Sequence, residues 1–292
     1  MARDLVERDD RSAEFLRQSE EQLRMPLRRL MLEGPEAALQ ATEHAQPAIT
    51  FHCLALLRHL TDAGVAPAAV AGHSLGEFAG LVAAGGLDPA DAMLAVQARG
   101  QAMSATAPAS TGMAAVLGLS DEAVEEACRL SGGQVVPANY NAPGQVVISG
   151  TDVALDSLTV SLERAGAKRV IRLAVSAAFH SPLMRQAALT FAGTWSRIDL
   201  RPLGRDQVFN TDAELHREPS DIRDLMVRQL TGPVRWSASV LRLARLGVDT
   251  FVEVGPKRTL TALVKKIIPT ATVHNVEDLK TLDAFLKVAH AA

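Results

Sequence analysis

The 292-residue chain is 48% hydrophobic and 22% charged, with 33 acidic against 30 basic side chains and a net charge of −3. That balance excludes the basic footprint of a nucleic-acid binder and suits a globular chain near the size at which one core begins to divide. Two cysteines, Cys53 and Cys128, make neither a disulfide framework nor a metal site, no run reaches a membrane span, and the charged opening lacks a signal peptide's apolar stretch, so a cytoplasmic setting is expected.

Residues 1–62 read as helices. The segment 48–57 is apolar nearly all round, which predicts a buried helix opened by Pro47 and closed at Gly64, with Cys53 as a small core residue. Ala68-Ala69-Val70-Ala71, bounded by Pro67 and Gly72, suits a short buried parallel strand. A helix from Leu75 to Ala84 ends at Gly85-Gly86, and Asp88-Pro89 supplies an N-cap and first-turn proline for the next, running to about Met103.

The pattern changes from 112 to 176. Strands are expected at Gly112–Leu119, Val135-Val136, Gln145–Ile148 and Arg169–Val175, with a turn at Tyr140–Gly144 and helices at Asp121–Leu130 and Asp152–Ala165. The order β-α-β-β-α-β is that of a ferredoxin-like unit. It reads as a small subdomain, 112–176, inserted into a large α/β subdomain made of 1–111 and 177–292. Beyond it come a helix start at Ser181-Pro182, helices near Leu225 and Ala238, and a strand Thr250–Val254 stopped by Gly255-Pro256. No internal repeat is present.

Gly72-His73-Ser74-Leu75-Gly76 places a serine on the turn between the short strand and the following helix. The glycines permit a tight turn, the hydroxyl is presented at a helix N-terminus, and the Leu75 N–H can face a developing oxyanion. A plain N-cap serine is the competing reading. Glu77, in the first helical turn, is explained by the helix dipole alone.

A nucleophilic serine needs a base. His44, His52, His59, His216 and His290 lie in helical, polar or terminal settings, and His73 adjoins the serine on a turn where neighbours diverge. His180 sits between a strand and a helix start, a setting that suits a base and equally a satisfied loop histidine. Arg99 falls on the apolar row Ala92, Ala95, Val96, Ala102 and Met103 of its helix. Its guanidinium could snorkel to water, pair with an internal carboxylate, or grip a substrate carboxylate.

Several stretches together resemble one family. Gly72-His73-Ser74-Leu75-Gly76-Glu77, Gln97-Ala98-Arg99-Gly100, the run from Asn139 to Gly150, and Ala178-Phe179-His180-Ser181-Pro182-Leu183-Met184 are similar to malonyl-CoA:acyl carrier protein transacylases. So are Val227-Arg228-Gln229-Leu230, Pro233-Val234-Arg235-Trp236 and Val252-Glu253-Val254-Gly255-Pro256, in the same order over nearly the whole chain. The pattern is shared by the fatty-acid enzyme and by polyketide synthase acyltransferases.

The resemblance implies an α/β-hydrolase-like parallel-sheet subdomain with a ferredoxin-like insert. It also implies malonyl transfer from malonyl-CoA through Ser74 to the phosphopantetheine thiol of an acyl carrier protein. His180 would be the base and then the acid, Gln229 would orient it through its backbone carbonyl, and Arg99 would hold the malonyl carboxylate. Leu75, Phe179, Gln229 and Asn141 complete the expected acyl surroundings, with Phe179 favouring malonyl over methylmalonyl units. No metal, cofactor, nucleic acid or membrane is implied.

Family members open with a strand and a Gly-Gln-Gly-type loop whose glutamine supplies a second oxyanion donor. This chain starts after that point, through a misplaced start, a truncation or a natural loss, and Leu75 N–H is then the one recognised donor. Near Gly255-Pro256-Lys257 relatives often carry a further glycine, with little effect expected. Two rival readings stand beside this one. A serine hydrolase or thioesterase would need a His-Gly-Gly loop and an acid before a late histidine, and the chain has neither. A non-catalytic carrier-protein-binding homologue would bind acyl-CoA without becoming acylated.

Overall fold

The computed structural model describes residues 1–290. Five helices come first: α1 (Arg3–Arg8), α2 (Asp10–Leu23), α3 (Leu27–Leu32), α4 (Glu36–Gln40) and α5 (Thr42–Asp62). Helix α5 starts more than a turn before Pro47, which lies inside it and not at its first position. Packing explains the difference. A Cβ on Gly100 would lie 3.0 Å from Glu43 Cα and from Thr42 O, tighter than ordinary contact, so the glycine lets the first turn of α5 settle closely on α7. Cys53 is half-buried and not part of the buried core; its thiol donates to Val254 O and is pushed up to about 12 by desolvation.

Strand β1 (Ala69–Ala71) leads through the serine turn into α6 (Gly76–Ala83). Helix α7 (Pro89–Ala105) follows, with the Asp88 side chain accepting from Ala90 N at 2.9 Å as the N-cap. Its buried face holds Ala92, Ala95, Val96, Arg99, Ala102 and Met103, as the i, i+3, i+4 spacing requires.

The middle of the chain forms β2 (Thr111–Leu117), α8 (Asp121–Leu130), β3 (Val135–Ala142), β4 (Gln145–Thr151), α9 (Asp152–Arg164) and β5 (Arg169–Arg172). Sheet order is β3-β4-β2-β5 with every pairing antiparallel, which is ferredoxin-like topology. The period-2 alternation of strands decides its two faces. Ala114, Val116, Val146 and Ile148 join Val124 of α8 and Leu155 and Leu162 of α9 in a core of their own. Met113 and Val147, on the opposite face, belong to the large core of the molecule. Tyr140 and Asn141, expected in a turn, are strand residues beside register irregularities in β3, and the hairpin closes on Pro143-Gly144.

A 3₁₀ turn, Pro182–Met184, opens the last third of the chain. It continues through α10 (Arg185–Trp195), β6 (Asp206–Val208), β7 (Leu215–His216), α11 (Pro219–Arg228), α12 (Trp236–Arg245), β8 (Thr250–Val254), α13 (Thr259–Ile267), β9 (Thr272–Val276) and α14 (Leu279–Ala289). Strand β1 pairs in parallel with β6, and β8 in parallel with β9, so the parallel pairing lies outside the antiparallel β2–β5 sheet. Phe78 of α6 packs edge-on to Phe191 and Trp195 of α10, which fixes the helix carrying the serine turn against the core. No helix among the described residues is long and apolar enough to cross a membrane.

Candidate active site

The turn after β1 is sharp, and Gly72 makes it so. A Cβ at position 72 would lie 2.0 Å from Gly76 C and 2.2 Å from Glu77 N, so strand and helix close on each other only across a glycine. Gly76, which the sequence pattern pairs with it, is different: a Cβ there would meet nothing within 4 Å. Ser74 itself sits at φ 49°, the left-handed region that costs a residue with a side chain about 1–3 kcal/mol. Asn210, just beyond β6, holds the turn in that shape. Its Oδ1 accepts from Ser74 N at 2.7 Å, and its Nδ2 donates to Gly72 O at 2.7 Å.

His180 reaches the serine from the loop between β5 and the 3₁₀ turn, also at positive φ, 56°. Its Nε2 lies 2.7 Å from Ser74 Oγ, and its Nδ1 lies 2.8 Å from the backbone oxygen of Gln229. A carbonyl only accepts, so Nδ1 carries the hydrogen and Nε2 presents its lone pair to the serine hydroxyl. Burial and the Arg99 cation push the imidazole down to about 3, which keeps it neutral and able to accept a proton. The histidine is oriented by a peptide carbonyl, whereas a Ser-His-Asp hydrolase would place a carboxylate there.

Arg99 comes from α7 and is 2% exposed. It donates from Nη2 to Ser74 Oγ and to Gln229 Oε1, both at 2.9 Å, and from Nη1 to Gln46 Oε1 at 2.7 Å. Ser74 Oγ therefore accepts from the guanidinium and gives its own hydrogen to His180. Burial pushes the guanidinium down to about 10, still protonated at neutral pH. Among the described residues Arg99 makes no ion pair, and its buried Nε has no partner. A buried cation with an unused donor fits an anion brought by the substrate.

The remaining expected residues fall nearby with different duties. Asn141 Oδ1 meets His73 Nε2 at 2.8 Å, which carries the small sheet to the serine turn. The His73 ring lies tilted against Trp236, with centroids 5.6 Å apart, and burial lowers its basicity. Phe179 is buried in the large core next to His180, with its carbonyl accepting from Ser149 Oγ of β4. The Leu75 N–H engages no partner among the described residues and points from the start of α6. The other histidines are held elsewhere: His44 on Ala38 O, His52 on Glu277 O, His59 on Asp9 and His216 on Asp212.

Glu77 is the main surprise. The helix dipole is enough to explain a carboxylate in the first turn of α6, yet the side chain is fully buried and tied to distant residues. It accepts from Asn210 N and from Gln229 Nε2. Gln46, Asn210 and the side chain of Gln229 were likewise not foreseen. Only their tertiary partners distinguish them, and no local pattern marks a residue that bonds to another more than 50 positions away.

Comparison with known proteins agrees with this geometry. The chain matches the family described as acyl transferase domain over residues 1–284. It is 36% identical over 287 residues to the malonyl CoA-acyl carrier protein transacylase of Bacillus subtilis, covering 97% of this chain and 90% of that protein. To the enzyme of the same name from Escherichia coli K12 it is 40% identical over 263 residues, covering 89% of this chain and 85% of that one. An acyl carrier protein S-malonyltransferase from Vibrio cholerae superposes with a TM-score of 0.92 at 36% identity, covering 97% of this chain and 94% of that chain. A malonyl-transacylase solved in complex with its type II PKS acyl-carrier protein superposes with a TM-score of 0.94 at 35% identity, over 98% of this chain and 94% of that one.

Proposed function

The chain belongs to the acyltransferase family of malonyl-CoA:acyl carrier protein transacylases, and from that premise we propose that Ser74 takes a malonyl group from malonyl-CoA and passes it to the thiol of an acyl carrier protein. In the first half-reaction His180 removes the Ser74 proton as Oγ attacks the thioester carbonyl. The tetrahedral oxyanion faces the Leu75 N–H, and CoA leaves as its thiol with the proton from His180. In the second, the phosphopantetheine thiol gives its proton to His180 and attacks the ester, and Ser74 regains its hydrogen. Arg99 holds the free malonyl carboxylate in both steps. Phe179, against the base, limits the room beside the acyl group and favours malonyl over a branched unit.

The observation that carries this reading is Arg99, a buried cation without a carboxylate partner and 2.9 Å from the nucleophile. A site built for neutral esters has no use for it. Two half-reactions with one ester intermediate balance without a further cofactor. The same proposal sets the reaction in the cytoplasm, and divides the chain into a large part, 1–111 with 177–292, and a small one, 112–176. The test is the intact mass of the protein after brief exposure to malonyl-CoA, beside Ser74→Ala. A malonyl adduct on the parent alone, discharged by a holo carrier protein, is the expected result. A folded parent that stays unmodified would leave binding without chemistry as the function.

A further inference from the structure

We propose that Glu77 is a positioning residue for this reaction, its buried carboxylate fixing the side-chain amide of Gln229 and thereby the places of Arg99 and Ser74. The inference rests on the transfer reading above and adds a group that neither the serine motif nor the dyad includes. It follows from which atoms can donate. Arg99 is donor-only, so the Gln229 atom 2.9 Å from its Nη2 is the amide oxygen. Ser74 O is acceptor-only, so the Gln229 atom 3.0 Å away is the nitrogen. That nitrogen also donates to Glu77 Oε2. The other carboxylate oxygen accepts from the backbone N–H of Asn210, whose side chain braces Ser74 N and Gly72 O. One carboxylate thus ties together the serine turn and the residue that supports both Arg99 and His180.

The arrangement also keeps Arg99 available. A carboxylate bonded straight to the guanidinium would occupy the donors that the substrate needs. Placed one amide away, Glu77 offsets the buried charge without taking those donors. The titratable groups facing Glu77 are Arg99 from α7 and Asp212 from the loop after β6, with Gln229 and Asn210 as its direct partners. Both direct partners are donors, so the ionised carboxylate fits them and a protonated one would turn its O–H against an N–H. Burial nevertheless pushes the carboxyl up to about 8. Acylation is therefore expected to rise as pH is raised through that value, because the fitting form becomes fully populated.

Glu77→Gln keeps the volume but leaves the buried Arg99 charge without its nearby anion, so some loss of stability is expected and thermal unfolding is recorded beside the rate. The NH2 it introduces must face either Asn210 N–H, which cannot turn, or Gln229. The Gln229 amide then flips and sets its nitrogen against Arg99. The single-turnover rate of Ser74 acylation by malonyl-CoA should fall about a hundredfold, the effect of a small displacement at a reacting centre. The rise through pH 8 should vanish. Glu77→Asp keeps a carboxylate acceptor for the same two N–H groups and leaves Gln229 in place, so it should be acylated at least about tenfold faster than Glu77→Gln and keep the rise with pH. A folded Glu77→Gln acylated at the wild-type rate would overturn the proposal. So would a folded Glu77→Asp acylated no faster than Glu77→Gln. If Glu77→Gln does not fold, Glu77→Asp decides: folded and acylated with the rise through pH 8 supports the assignment, folded with a flat pH profile refutes it. A wild type that is never acylated counts against the transfer reading itself, so the two failures are distinguishable.

Discussion

Arg99 concentrates the demands of the site in one side chain. Its two terminal nitrogens reach three acceptors on three segments, Gln46 of α5, Ser74 of the turn and Gln229 after α11. A lysine has the charge without the planar fork, and its ammonium cannot span those positions from one rotamer. Arg99→Lys is therefore expected to lower kcat/KM for malonyl-CoA by roughly a hundredfold, the order associated with breaking a buried charge-assisted contact. Transfer from acetyl-CoA, which brings no carboxylate, should fall much less, so the ratio of the two specificity constants is the measurement. An unchanged ratio would remove Arg99 from carboxylate recognition. The residue was visible in the sequence as an arginine on an apolar helical row, and the structure answers the open question of its partner with amides and a hydroxyl. Glu77 was visible too, but the helix dipole explained it so completely that nothing prompted a search for more. A local reason that suffices conceals a distant one.

The helix and strand that bracket Ser74 show which parts of a motif are structural necessities. Gly72 and Gly76 have equal standing in the pattern, yet only Gly72 faces backbone at impossible distance when given a Cβ. Gly72→Ala should force β1 and α6 apart, lower the melting temperature by several degrees and abolish acylation of Ser74. Gly76→Ala places its methyl in open space at the first position of α6, where alanine favours helix over glycine by up to about 1 kcal/mol, so the melting temperature should hold or rise. Thermal unfolding of the two variants side by side checks the contrast; equal losses would mean that the turn, and not the close approach, selects both glycines. Element order was legible where periodicity was strong, as in α7 and the ferredoxin-like unit. It was not legible in β6, β7 and β9, which have three, two and five residues and too little alternation to read. Pro47 misplaced the start of α5 because a proline at the first helical position is the usual case. The correction has functional weight, since the extra turn is what brings Gln46 onto Arg99.

At the scale of the whole molecule, the proposed catalytic pair is assembled from segments 106 residues apart in sequence. Ser74 follows β1, and His180 lies in the loop by which the chain leaves the small sheet. The small sheet steadies both. Asn141 of β3 meets His73 beside the serine, and Ser149 of β4 donates to Phe179 O, one residue from the histidine. Backbone hydrogen bonds between β3 and Val234 add a further tie, Tyr140 N to Val234 O at 2.9 Å and Val234 N to Ala138 O at 2.8 Å. His180 needs such support because its positive φ is unfavourable for a residue with a side chain, and a free loop would relax. Ser149 is completely buried, so Ser149→Ala removes one donor and leaves the Phe179 carbonyl without it. A single net hydrogen bond of about 1 kcal/mol corresponds to roughly fivefold in an equilibrium between held and relaxed loops. Single-turnover acylation should slow by about that factor, while KM for malonyl-CoA, which on the proposed reading depends on Arg99, stays put. An acylation rate equal to wild type would mean that the large part alone holds the base, and that the small sheet serves the site only through the serine turn.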